Sequence, residues 1–191
     1  MDTYTQEAYH SKVEVLRPDV QQGARRIVEE PLHLLLRQTD GNPTSWLAKR
    51  ELFLKHGGCA DHIFIQDYIL ELGLAAEGAM CVSPVPLFIA PESDAARVSA
   101  NEEQTSHDLN MALAEFFRRE PDCLSTYGKV ALKRAYSRAW RFLKKKKVCM
   151  FEKCRYFTLY LMSKMGLLKP SVATIEAAAY PFRDYAKVRS Q

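Results

Sequence analysis

Apolar positions recur along most of this chain at the three- or four-residue spacing of a helix, and nowhere as a convincing series of alternating strands. Residues Asp19 to Gln38 read as one helix that Pro31 kinks or breaks into two pieces. Thr39 to Asn42 form a turn signal, and Pro43 is placed to open a helix over Thr44 to His56. Gly57-Gly58 supplies its C-cap, and Lys55 and His56 put positive charge in its last turn. An apolar helix over Asp61 to Leu74 follows, carrying Ile63, Ile65, Tyr68, Ile69 and Leu72. Val82 to Pro91 is an extended, proline-broken apolar segment, and Glu92 to Gln104 a polar, acidic linker. Four helices fill the remainder: Leu109 to Arg119, capped by Ser106-His107-Asp108 and stopped by Pro121, then Thr126 to Lys146, Cys149 to Leu167, and Ser171 to Arg189. The expected fold is therefore all-α: an N-terminal helical extension over residues 1–104 and a basic helical bundle over 105–191.

Two of these helices carry most of the information. On a wheel of 3.6 residues per turn, Leu132, Ala135, Tyr136, Ala139, Trp140, Phe142 and Leu143 share one arc. Lys133, Arg134, Arg138, Arg141, Lys144 and Lys145 share the other, so a core face opposes a basic ridge. Lys146 and Lys147 would rotate back among the apolar residues, which ends the pattern near Lys145. In the next helix Phe151, Phe157, Leu159, Leu161, Met162 and Met165 are expected inside, with Glu152, Lys153, Tyr156, Tyr160, Ser163 and Lys164 opposite. Arg155 falls within that apolar arc, where a guanidinium needs an anionic or carbonyl partner or must snorkel outward along its stem.

Charge sharpens this picture. The 191 residues carry a net charge of +4, yet Arg118 to Arg155 hold 13 basic residues against three acids, while the rest of the chain holds 14 basic and 20 acidic. Such a contrast points to an anionic partner for the basic segment, or to an acidic neighbour within the fold. Composition, at 47% apolar and 26% charged, is that of a globular protein, and no run of about 18 apolar residues is available to span a membrane. Five cysteines suit a reducing compartment better than a disulfide scaffold. The first 40 residues, with five basic and seven acidic side chains, lack the pattern of a transit peptide or secretory signal.

Chemistry-bearing motifs are sparse: there is no phosphate-cradling glycine loop, no HExxH and no GxSxG. His56, Cys59 and His62 offer three zinc ligands in seven residues, but no fourth is evident and the intervening glycines already serve as a cap, so no metal site is expected. Cys149 and Cys154 would point apart on a helix, which suits neither a disulfide nor a zinc knuckle. The chain reads as a non-enzyme.

The stretches AYSRAWRFL (Ala135 to Leu143) and EKCRYF (Glu152 to Phe157) resemble the LYR-motif superfamily of small three-helix mitochondrial proteins, most closely its accessory subunits of respiratory complex I. Tyr136 matches the tyrosine of that motif, Arg138 or Arg134 its basic position, and Arg155-Tyr156 its helix-two signature. The sequence departs from the pattern at Ala135, Ser137 and Met165, and the resemblance spans about residues 127–189. It implies a mitochondrial, non-catalytic subunit that binds an acidic acyl carrier protein, whose acyl-phosphopantetheine would lie between the helices; no cofactor of its own is implied. The implied partner-binding set is Lys133, Arg134, Tyr136, Arg138, Arg141, Lys144, Lys145, Arg155 and Tyr156. The alternative is a nucleic-acid-binding protein using the 118–155 surface, with Tyr136, Trp140 or Tyr156 stacking on bases. Against it, the wheel turns Tyr136 and Trp140 away from the basic arc.

Overall fold

The computed structural model describes residues 26–37, 47–59, 63, 65–82 and 101–184. The readings of 19–25, Thr39–Asn42, Pro43, His62, 83–100 and 185–189 lie outside the described residues. The fold is all-α, a helical bundle with one small antiparallel sheet. In chain order it runs β1 (Arg26–Val28), α1 (Pro31–Arg37), α2 (Arg50–Lys55), α3 (Gln66–Ala76), β2 (Met80–Val82), α4 (Glu102–Arg119), α5 (Pro121–Lys145), α6 (Met150–Lys164), α7 (Val172–Ala177) and a 3-10 turn (Tyr180–Phe182).

Several boundaries differ from the sequence reading, mostly at prolines. Pro31 neither kinks nor splits a helix: it opens α1, where its missing N–H is harmless. Arg26–Val28 just before it is a strand, paired with Met80–Val82 in the register Arg26↔Val82, Ile27↔Cys81, Val28↔Met80. Three-residue strands are too short to show an alternating pattern, so periodicity missed both. Pro121 likewise begins α5 at the residue after the C-cap of α4. The helix expected from Leu109 starts at Glu102, inside the stretch read as linker. Asn101, not Ser106-His107-Asp108, is its cap, its side chain accepting from the Gln104 N–H at 3.0 Å. Glu102 and Glu103 then sit in the first turn, where carboxylates suit the helix dipole.

The Gly57-Gly58 cap forms as expected. Both glycines have positive φ, 75° and 71°, and the Gly58 N–H returns to the Phe53 carbonyl. α2 buries none of its own residues. What ties it to α3 is Glu77, which accepts from Lys55 Nζ at 2.7 Å and lies 2.9 Å from His56 Nε2. The last helix expected to reach Arg189 is instead short: Ser171 and Thr174 form a reciprocal capping box, α7 ends at Ala177, and Pro181 lies in the 3-10 turn.

One core joins both halves of the chain. Leu32, Leu36, Ile63, Tyr68, Ile69 and Leu72 pack in the same cluster as Phe116, Phe117, Leu132, Ile175 and Phe182. The two long helices α4 and α5 are its frame. Near Gly128 the start of α5 runs so close to the loop before α7 that a Cβ there would stand 2.7 Å from Pro170 Cβ. At the other end of α5, Lys146 Nζ donates to Glu103 at 2.7 Å, and Lys145 stands 3.7 Å from Glu102, so part of the basic excess is answered by the first turn of α4. Among the described residues no helix is long and apolar enough to cross a membrane.

Candidate partner-docking face

The basic face of α5 is divided by its neighbours. Lys133, Arg141 and Lys144 are exposed and make no ion pair among the described residues. Arg134 is half-buried, and Lys145 is exposed beside Glu102. Arg138, expected on the same ridge, is a correction: it is 7% exposed, and its Nε donates to Asn110 Oδ1 at 2.8 Å. Its position on the wheel faces the seam with α4, whose Asn110 supplies the carbonyl oxygen that lets a guanidinium enter the core. Burial and the nearby Arg134 and Arg141 charges lower its pKa to about 10, so it stays protonated at neutral pH; the neighbouring Tyr68 phenol, pushed up by burial to about 12, stays neutral.

Tyr136 is buried as the wheel requires, with its ring centroid 6.2 Å from that of Tyr156. Here the reading of α6 is overturned. Tyr156, expected on the polar side, is buried, and its hydroxyl donates to the Ala177 carbonyl at 3.2 Å. Ser163 is buried too, donating to the Tyr160 carbonyl at 2.7 Å. Conversely Phe151 is 77% exposed and Met165 62%, with Met150, Leu167 and Cys154 also outward and Phe157 partly so. The expected inner arc is centred on Phe151, whereas the buried side of α6 carries Tyr156 and Ser163. A phenol fills a core as well as a phenyl ring does once its O–H has an acceptor, and the end of α7 provides one. Arg155 is exposed, its guanidinium 5.8 Å from the Tyr156 ring, which realises the snorkelling alternative.

The result is an outward α6 face made of Met150, Phe151, Cys154, Phe157 and Met165, continued by Leu167. Phe157 joins it to α5 through Trp140, ring centroids 4.9 Å apart. Trp140, expected to turn away from the basic arc, is half-buried at its edge, next to Lys133 and Lys144 on the α5 wheel, and Lys153, Arg155 and Lys164 border the α6 face. An apolar strip rimmed by cations is thus exposed on the outer side of α6.

Other candidates resolve less. His56 is engaged with Glu77, Cys59 is exposed and His62 lies outside the described residues; among the described residues no cluster of three or more His, Cys, Asp or Glu could hold a metal ion. All five cysteines are free thiols. Sequence reasoning missed Asn110, which is fully buried between Arg138 and the Ala178 carbonyl. Its signal was present: Asn110 sits at helical spacing with Leu113, Ala114 and Phe117, a polar residue inside an apolar stripe.

Glu71, half-buried on α3, was also unmarked. Burial, with a smaller push from Asp67, raises its pKa from 4.5 to about 7. Between those values the folded protein holds a proton that the unfolded chain has lost, so stability falls as pH rises from about 4.5 to 7 and then levels. Glu71→Gln, which mimics the protonated form, is expected to stabilise the protein at pH 8 by about 1–2 kcal/mol, allowing for its partial exposure, and to make little difference at pH 4.5. Urea titrations at the two pH values check this; an equal gain at both would remove the ionisation as its cause.

Compared with known proteins, the chain matches no family model, no curated relative and no solved structure.

Proposed function

We propose that this protein is a non-catalytic interaction subunit that docks an acidic acyl carrier protein on the α5–α6 hairpin, as an accessory part of a mitochondrial respiratory assembly. The observation that carries this reading is the exposed α6 strip bounded by cations that make no ion pair among the described residues. Apolar side chains supply contact area, while the flanking lysines and arginines select an acidic partner and speed its approach. The LYR-like residues add the carrier protein's identity. Within that reading Lys133, Arg141, Lys144, Lys145 and Arg155 are the surface contacts. Tyr136, Arg138 and Tyr156 are the core that holds the hairpin in place, not contacts themselves. The acyl-phosphopantetheine arm belongs to the partner, and Met162 and Met165 are adaptable side chains beside which it would lie.

Titration of the full chain with an acylated mitochondrial-type carrier protein tests this, by calorimetry at two salt concentrations. Binding should weaken steeply with salt. Lys133→Glu combined with Lys144→Glu should weaken it about tenfold or more while leaving the far-ultraviolet circular dichroism unchanged. Absence of carrier binding overturns the proposal. Salt-dependent binding of a single-stranded RNA in its place would favour the nucleic-acid alternative.

A further inference from the structure

Trp140 of α5 and Phe157 of α6 fix the register on the outer side of the hairpin, their ring centroids 4.9 Å apart. Only residues 146–149 separate the two helices, which pack on one another as an antiparallel pair. Four residues towards the turn from each ring stand Lys144 and Lys153, and seven residues the other way stand Lys133 and Lys164. Steps of four and seven return to the same side of a helix to within about 40°. Each lysine therefore lies on the side of its own ring, and the register sets one lysine pair on either flank of the aromatic contact. Lys133, Lys144 and Lys164 are exposed, Lys153 is half-buried, and none of the four makes an ion pair among the described residues. The two pairs stand eleven residues apart, about 16 Å along the helix axis.

This pattern narrows the occupant. Four like charges around an apolar contact repel a second copy of the same face, so the complement is anionic. It must also bring an apolar group to Trp140 and Phe157, since aromatic anchors carry much of the affinity of an interface. Both helices use their backbone N–H and C=O groups internally, so an extended strand would find no backbone partner here, whereas a helix needs none. Stacking on nucleic-acid bases requires an open ring face, but Trp140 is half-buried and its ring packs on Phe157.

We infer that the outer groove of the α5–α6 hairpin receives one acidic amphipathic helix of a partner protein, with two carboxylates eleven residues apart and an apolar side chain between them. The carboxylates meet the Lys144/Lys153 and Lys133/Lys164 pairs, and the apolar side chain seats against Trp140 and Phe157. The inference rests on the docking reading above for the face it uses, and adds which element of an acidic partner is recognised and at what spacing.

The test is fluorescence anisotropy of the full chain with two labelled helical peptides of equal composition. One carries Glu at i and i+11 with Leu at i+4, an order that matches the groove when the peptide runs parallel to α6; the other has the second Glu moved to i+7. The matched peptide should bind about fivefold more tightly than the shifted one, and less tightly as salt rises. Lys133→Glu with Lys164→Glu, which reverses the pair facing the moved carboxylate, should abolish that preference. Trp140→Ala should weaken the matched peptide about tenfold with the far-ultraviolet circular dichroism unchanged. If Trp140→Ala fails to fold, Phe157→Ser, at a partly exposed position, should still weaken it severalfold. Indifference to the spacing, or no binding of the matched peptide, overturns the inference. So does an oligouridylate that binds more tightly than the matched peptide and is weakened by the same lysine reversals. The acylated carrier protein, titrated in parallel, separates the two readings. Carrier binding without the spacing preference removes the helix register and leaves docking standing, whereas the preference without carrier binding keeps the groove and removes the carrier protein as its partner.

Discussion

Asn110→Ala is expected to destabilise the fold by about 3–5 kcal/mol. Asn110 is fully buried and joins three elements at once: from α4, its Oδ1 accepts from Arg138 Nε of α5 at 2.8 Å, and its Nδ2 donates to the Ala178 carbonyl after α7 at 2.9 Å. Alanine removes both bonds. It also strips Arg138 of the one hydrogen-bond acceptor it has among the described residues while leaving the charge in the core, and that desolvated cation is the dominant cost. Urea unfolding should show the midpoint shifted with the slope unchanged. A loss below about 1 kcal/mol would mean that Arg138 finds another acceptor or leaves the core. Combining the substitution with Arg138→Met should recover part of the loss, because the cation is then gone.

The second large effect is at Phe182. Its side chain is fully buried in the 3-10 turn after α7, and its ring packs on Phe142 of α5 with centroids 4.7 Å apart. Phe182→Ala removes a full aromatic ring and leaves a cavity between α4, α5 and the turn, for an expected loss of about 3–5 kcal/mol. For a chain of this size that is a fall in thermal midpoint of roughly 6–20 °C. Asn110 and Phe182 both fasten the α7 region onto α4 and α5. A double-mutant cycle should therefore give less than the sum of the single losses, since either substitution loosens what the other holds. Strict additivity would show that the two anchors act separately.

These anchors explain why α7 can be so short. Six residues make a marginal helix in water. The capping box at Ser171–Thr174, the Asn110 bond to Ala178, the Tyr156 bond to Ala177 and the ion pair of Arg118 with Glu176 hold its two ends. The same contacts orient α6, because Tyr156 reaches Ala177 only when its side of that helix faces inward. The exposed strip of α6 is thus a consequence of where α7 ends.

Much of this protein was legible in its residues. Helical periodicity identified the all-α class, the Gly57-Gly58 cap, the apolar face of α5 and the end of that helix near Lys145, because each depends on local spacing and backbone preference alone. Prolines were misread in function rather than position: Pro31 and Pro121 stand at helix boundaries, but as first residues, and only the neighbouring chain decides whether a proline stops a helix or starts one. What required the tertiary structure was the choice of facing wherever a side chain is amphipathic. Tyr156, Ser163 and Arg138 lie inside, and Phe151 and Met165 outside, because hydrogen-bond partners on Asn110, Tyr160 and Ala177 make polar burial favourable at particular points. Two of those partners lie many residues away in the chain, so no pattern within one helix could reveal them.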